Sequence, residues 1–131
     1  DKLMQGAVET LVKHGAKKEN IFTQYVPGSF ELALGADIFL QNSDSDAVIC
    51  LGSIIRGETP HFDFVSHATA NGIKDVSLKH CKPVIFGVLT DNTMQQAIDR
   101  SGGKHGNKGI ECAIAAIKMV HFHDKLKYGT E

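Results

Sequence analysis

Two apolar runs restrict what this chain can fold into: "DAVICLGSII" at 46–55 and "PVIFGVLT" at 83–90. Both are rich in Val and Ile, and neither alternates apolar with polar residues. A strand with one wet face alternates with period two, so continuous runs of this length read as strands covered on both faces. Such strands belong to a parallel sheet, and a parallel sheet needs helical crossovers to connect it.

The intervening segments supply those helices. Residues 3–14 put Leu3, Met4, Ala7, Val8, Leu11 and Val12 on one helical stripe, with Gly15 as the stop. "NIFTQYV" (20–26) reads as a short strand closed by Pro27-Gly28. "SFELALGADIFLQ" reads as a helix with Ser29 as its N-cap. Residues 60–80 form a further helix, opened by Thr59 with Pro60 in its first position. A short helix follows the capping box Thr93-Met94-Gln95-Gln96. "SGGKHGNKG" (101–109) is a glycine- and lysine-rich loop. The last helix, from about Asn107, is expected to turn Ile110, Ala113, Ile114, Ile117 and Val120 inward. Strands alternating with helices predict a single α/β domain, a three-layer α/β/α sandwich around a parallel sheet. Only three strong strands are legible and the sequence opens in a helix, so a first, central strand is expected to be absent from it.

Composition excludes several classes of function. A net charge of −1 and a sequence pI near 6.7 leave no basic footprint for nucleic acid or an anionic membrane surface. No apolar run approaches the roughly 18 residues of a membrane span. Cys50, Cys81 and Cys112 are odd in number, widely spaced and free of any C-x-x-C pair. With no secretion signal in "DKLMQGAVET", they point to a reduced, cytoplasmic protein. The seven histidines lack metal-ligand spacing, so no metal is expected.

Chemistry in an open parallel sheet collects where strands end and helices begin. The exits are "VPGSFE" (26–31), "IRGETPH" (55–61) and "LTDN" (89–92). At the second, a capped helix start and a glycine make an anion crevice, with donor N–H groups facing outward. Arg100 is a candidate to strengthen it, and His61 stands in the first helical turn as a candidate base. From spacing alone, Arg56 and Glu58 could equally be a solvated turn and His61 incidental. The glycine-rich loop is no P-loop, because Ser or Thr does not follow its lysine.

The segments "VPGSFELAL", "GSIIRGETPHFDFV", "PVIFGVLT", "QAIDRSGGKHGNKG" and "CAIAAIKM" resemble the lumazine synthase family, in order and from about Leu3 to Val120. The resemblance implies a flavodoxin-like sheet and condensation of 5-amino-6-(D-ribitylamino)uracil with 3,4-dihydroxy-2-butanone 4-phosphate. The product would be 6,7-dimethyl-8-ribityllumazine, the penultimate compound of riboflavin biosynthesis, made without metal or organic cofactor. It also implies roles. His61 would transfer protons, and Glu58 and Thr59 would lie at the phosphate end with Arg100 from an adjacent subunit. Ser53, Ile54 and Ile55 would meet the pyrimidine edge through their backbone. Ser29, Phe30, Glu31 and Lys108 would line the ribityl and ring pocket, with Phe86 contributed across an interface.

Family members form pentamers, and the short "SGGKHGNKG" loop resembles those that build 60-subunit icosahedral shells. Association with riboflavin synthase is a further expectation. Two other readings stay open: an archaeal-type riboflavin synthase on the same fold, and a non-catalytic flavin-binding or shell-forming protein. The "GETPH" exit together with Arg100 favours a phosphorylated substrate, and so lumazine synthase.

Overall fold

The computed structural model describes residues 2–57, 60–103 and 106–129. In chain order they form helix α1 (Lys2–Lys13), α2 (Leu32–Gln41), strand β1 (Val48–Ile55), α3 (His61–His80), β2 (Val84–Asp91) and α4 (Met94–Arg100). A small pair, β3 (Ser101–Gly103) and β4 (Gly106–Asn107), precedes α5 (Lys108–Tyr128). No helix among the described residues is long and apolar enough to cross a membrane.

β1 and β2 are the two long apolar runs, and they pair in parallel from Val48 beside Val84 to Ile55 beside Asp91. Side chains alternate across the sheet. Cys50, Val84 and Val88 face one side and pack with Ala36 and Leu40 of α2 and Ile73 and Val76 of α3. On the opposite side, Gly87 abuts Cys112 of α5, and α4 packs on β2. α1 lies chiefly on α5 and also touches the small β3–β4 pair. The result is a three-layer α/β/α sandwich.

The α1–α5 contact is made by small residues. Gly6, Ala7, Gly109, Ala113 and Ala116 are buried there, and a Cβ on Gly109 would overlap the Leu3 carbonyl oxygen. Asn107 fastens the pair. Its Oδ1 accepts from the Gly109 and Ile110 N–H groups (2.8 and 3.3 Å), which caps α5, and its Nδ2 donates to the Lys2 carbonyl at 2.9 Å. α1 ends as predicted: Gly15 has φ +103°, the Ala16 N–H reaches the Leu11 carbonyl, and the Gly15 N–H reaches that of Val12. This is a Schellman closure.

Five expectations need correction. Residues 21–26 form no ladder; a strand needs a hydrogen-bonded neighbour, and none of the described residues supplies one. The segment is held by side chains instead, through Phe22 against Phe39 and the Tyr25 hydroxyl on Met4 Sδ. Ser29 does not cap α2: Ser29–Glu31 is a 3-10 turn preceded by Gly28, and α2 starts at Leu32. Pro60 precedes the first residue of α3 instead of occupying it. Ile110 and Ile114 are exposed, because the closest seam of α5 is taken by Gly109, Cys112, Ala113 and Ala116. The loop at 101–109 contains the antiparallel β3–β4 pair, with Lys104 and His105 outside the described residues.

Candidate active site

Because both strands run the same way, Ile55 and Asp91 end side by side, and the helix starts collect at that end. Two adjoining surface clefts open there. The larger, about 700 Å³, is lined by Gly28, Ser29, Phe30, Glu31, His61, Phe64, Val65 and Ala68. The smaller, about 350 Å³, shares Ser29, His61 and Val65 and adds Ser53, Ile54, Ile55, Gly57 and Phe62. The 3-10 turn therefore forms one wall, α3 the other, and the last turn of β1 the floor.

Close backbone approach shapes that floor. A Cβ on Gly52 would sit 2.9 Å from Ser29 Oγ, so glycine lets the turn lie directly on β1. The Glu31 carboxylate folds back over Gly28. Phe30 stays 61% exposed and Phe64 70% exposed, so two aromatic faces flank the opening. Stacking on a planar heterocycle is what such faces offer.

Arg56 organises the junction between the strand exits. Its N–H donates to the Asp91 carbonyl (2.8 Å), its Nε to Asn92 Oδ1 (3.0 Å), and its guanidinium lies 4.6 Å from the Phe62 ring. A 3.5 Å contact with Asp63 ties it to α3. This turn is thus tethered both to the end of β2 and to the first turn of α3. The third exit carries its own ion pair: Arg100 Nη1 lies 2.8 Å from Asp91 Oδ1.

The structure brings Ser29, Phe30, Glu31, Ser53, Ile54, Ile55 and His61 together at the clefts. Glu58 and Thr59 lie outside the described residues. Phe86, Arg100 and Lys108 line neither cleft. Phe86 stands midway along β2, opposite Cys50; Arg100 ends α4; Lys108 begins α5, 3.8 Å from Glu111. Cys50 is no nucleophile, since burial pushes its thiol up to about 12, and burial raises Cys112 as well. Among the described residues no three His, Cys, Asp or Glu side chains gather as a metal site.

Sequence reasoning passed over Phe64, Val65 and Ala68. Their signal is helical spacing, since 61, 64, 65 and 68 follow i, i+3, i+4 and i+7 from the histidine. It also passed over Asp91, a carboxylate closing an otherwise apolar strand.

With this geometry in hand, the comparisons are specific. The profile of the 6,7-dimethyl-8-ribityllumazine synthase family matches residues 1–124. The 6,7-dimethyl-8-ribityllumazine synthase of Bacteroides fragilis is 56% identical over 120 residues, covering 92% of this chain and 84% of its own. That of Phocaeicola vulgatus is 54% identical over 125 residues (95% and 74%). That of Cytophaga hutchinsonii is 58% identical over 118 residues (90% and 74%). The chain belongs to the 6,7-dimethyl-8-ribityllumazine synthase family.

Proposed function

We propose that this protein condenses 5-amino-6-(D-ribitylamino)uracil with 3,4-dihydroxy-2-butanone 4-phosphate, giving 6,7-dimethyl-8-ribityllumazine, phosphate and water. The observation that carries the reading is that His61 borders both clefts at the end of a parallel sheet, in a chain of this family. The backbone of Ser53, Ile54 and Ile55 meets the pyrimidine edge. Ser29, Phe30 and Glu31 line the ring and ribityl chain. An amine and a ketone need little activation, so most of the rate gain comes from holding both substrates in one crevice. His61 moves protons during Schiff-base formation, phosphate loss and ring closure. Glu58 and Thr59 belong to the phosphate end.

Phe86 and Arg100 act from a neighbouring subunit, and Lys108, expected in the ring pocket, joins them because it lines neither cleft. Supporting this, they stand away from the clefts, and α5 exposes Ile110, Ile114, Met119, Phe122 and Leu126. Apolar surface of that extent suits burial between copies in a pentamer. The sheet accommodates a further strand: among the described residues β1 pairs only with β2, and residues 21–26 have strand character without a ladder. The three free thiols suit a reducing, cytoplasmic setting.

The test is product formation from both substrates, monitored as lumazine absorbance. His61→Ala is expected to lower kcat by about 10²–10⁴-fold without abolishing turnover. Unchanged kcat would remove the proton-transfer role. Riboflavin formed from lumazine alone would replace the reaction itself.

A further inference from the structure

Asp91 is the most deeply buried charged side chain of the described core, 2% exposed at the last position of β2. Its Oδ1 holds Arg100 Nη1 at 2.8 Å, while its Oδ2 is buried with no hydrogen-bond partner among the described residues. A carboxylate half-satisfied in the interior is costly, and an apolar residue would serve packing better. The Arg100 side chain, by contrast, is 52% exposed. Its one hydrogen bond among the described residues uses one arm of the guanidinium, which leaves a planar fork of further donors turned outward. The Asp91 backbone is tied on one side: its carbonyl accepts from the Arg56 N–H, and β2 pairs with β1 from Val84 to Asp91.

We propose that Asp91 is a positioning residue, which anchors one arm of Arg100 and presents the others to the phosphate of the butanone substrate. The inference rests on the reading above that Arg100 serves that phosphate. A free arginine loses rotamer freedom when it grips an anion; one already pinned at Nη1 has lost most of it before the ligand arrives. The anchoring carboxylate also fixes the guanidinium plane, which bidentate phosphate contact requires. Asp91 touches no substrate.

The experiment is a kinetic cycle on the assembled protein, with thermal midpoints measured for every variant. Arg100→Ala is expected to raise KM for the phosphate substrate about 10–100-fold. Asp91→Asn is expected to raise the same KM about tenfold, leaving KM for the uracil substrate and saturating kcat within about twofold. In an Arg100→Ala background, Asp91→Asn adds nothing. Arg100→Lys keeps the charge but offers a single ammonium, which cannot hold Asp91 and clasp phosphate as a fork, so it behaves nearly like Arg100→Ala. Arg100 is half exposed, so a normal KM in Arg100→Lys overturns the role of Asp91 even if Asp91→Asn does not fold. A normal KM in Arg100→Ala sinks the phosphate assignment of Arg100 and the role of Asp91 with it. A raised KM there, combined with normal KM values in Asp91→Asn and Arg100→Lys, overturns the role of Asp91 alone. Equal effects of Asp91→Asn in both backgrounds also overturn it.

Discussion

The two faces of the sheet are packed by different means. On the α2–α3 face, Leu40, Ile73, Val76, Val84 and Val88 interdigitate as aliphatic side chains. On the α5 side, Gly87 of β2 lies against Cys112 and Leu51, and α5 in turn packs on α1 through Gly109, Ala113 and Ala116, where a Cβ on Gly109 would meet the Leu3 carbonyl. The first kind of packing adjusts by rotamer changes, whereas the second is set by backbone distance and has no side chain to yield. The difference maps onto the site. His61, Phe64 and the Ser29–Glu31 turn sit at the end of the adjustable face, where two substrates must be accommodated and joined. Asp91 and Arg100 sit on the unyielding one, where a single charge must be held in one orientation.

The largest test of this contrast is Ile73→Ala. Ile73 is 1% exposed at the centre of the α2–α3 face, and its truncation is expected to cost about 2–5 kcal/mol in denaturant unfolding. Ile73→Val should recover most of that, leaving about 0.5–1.5 kcal/mol, because neighbouring aliphatics close the gap. Gly109→Ala comes next, at about 1–3 kcal/mol. The added methyl meets the Leu3 carbonyl, so α1 must move away from α5. If Gly109→Ala were neutral, the rigid-face description would be wrong.

The smallest effect is a pH dependence confined to the adjustable face. Asp37 of α2 holds His80 at 2.6 Å and Lys79 at 3.0 Å, both on α3. The hydrogen bond from His80, then that from Lys79, lowers its carboxyl to about 2. A depressed carboxylate stabilises the fold above its unfolded value, near 4, and loses that contribution as pH falls toward 2. Asp37→Asn is therefore expected to melt below the native protein at pH 7, with the gap closing between about pH 4 and pH 2. A gap unchanged over that window would mean that the charge on Asp37 adds nothing.

Much of this arrangement is legible in the residues alone. Unbroken Val/Ile runs can only be doubly covered strands, and Gly15, Thr93 and Asn107 mark helix ends through local chemistry. Thr93 Oγ1 does accept from the Gln96 N–H, although the Gln96 side chain reaches back to Asn92 and not to Thr93. What local pattern does not reveal is partnership. "NIFTQYV" has strand propensity, yet pairing belongs to two segments at once. Ile110 and Ile114 satisfy helical periodicity, yet periodicity does not say which apolar surface a stripe will meet. His61 with Phe64, Val65 and Ala68 was readable as one helical face. Asp91 was not, because its meaning depends on Arg100, nine residues later and around a turn of chain.

The bond from Asn107 to the Lys2 carbonyl spans 105 residues of sequence. At a synthesis rate of about 5–20 residues per second, α1 leaves the ribosome roughly 5–20 s before its partner helix exists. During that interval its apolar stripe lacks the surface of α5. The glycine seam that makes the finished α1–α5 contact so close can thus close only after the last helix has been made.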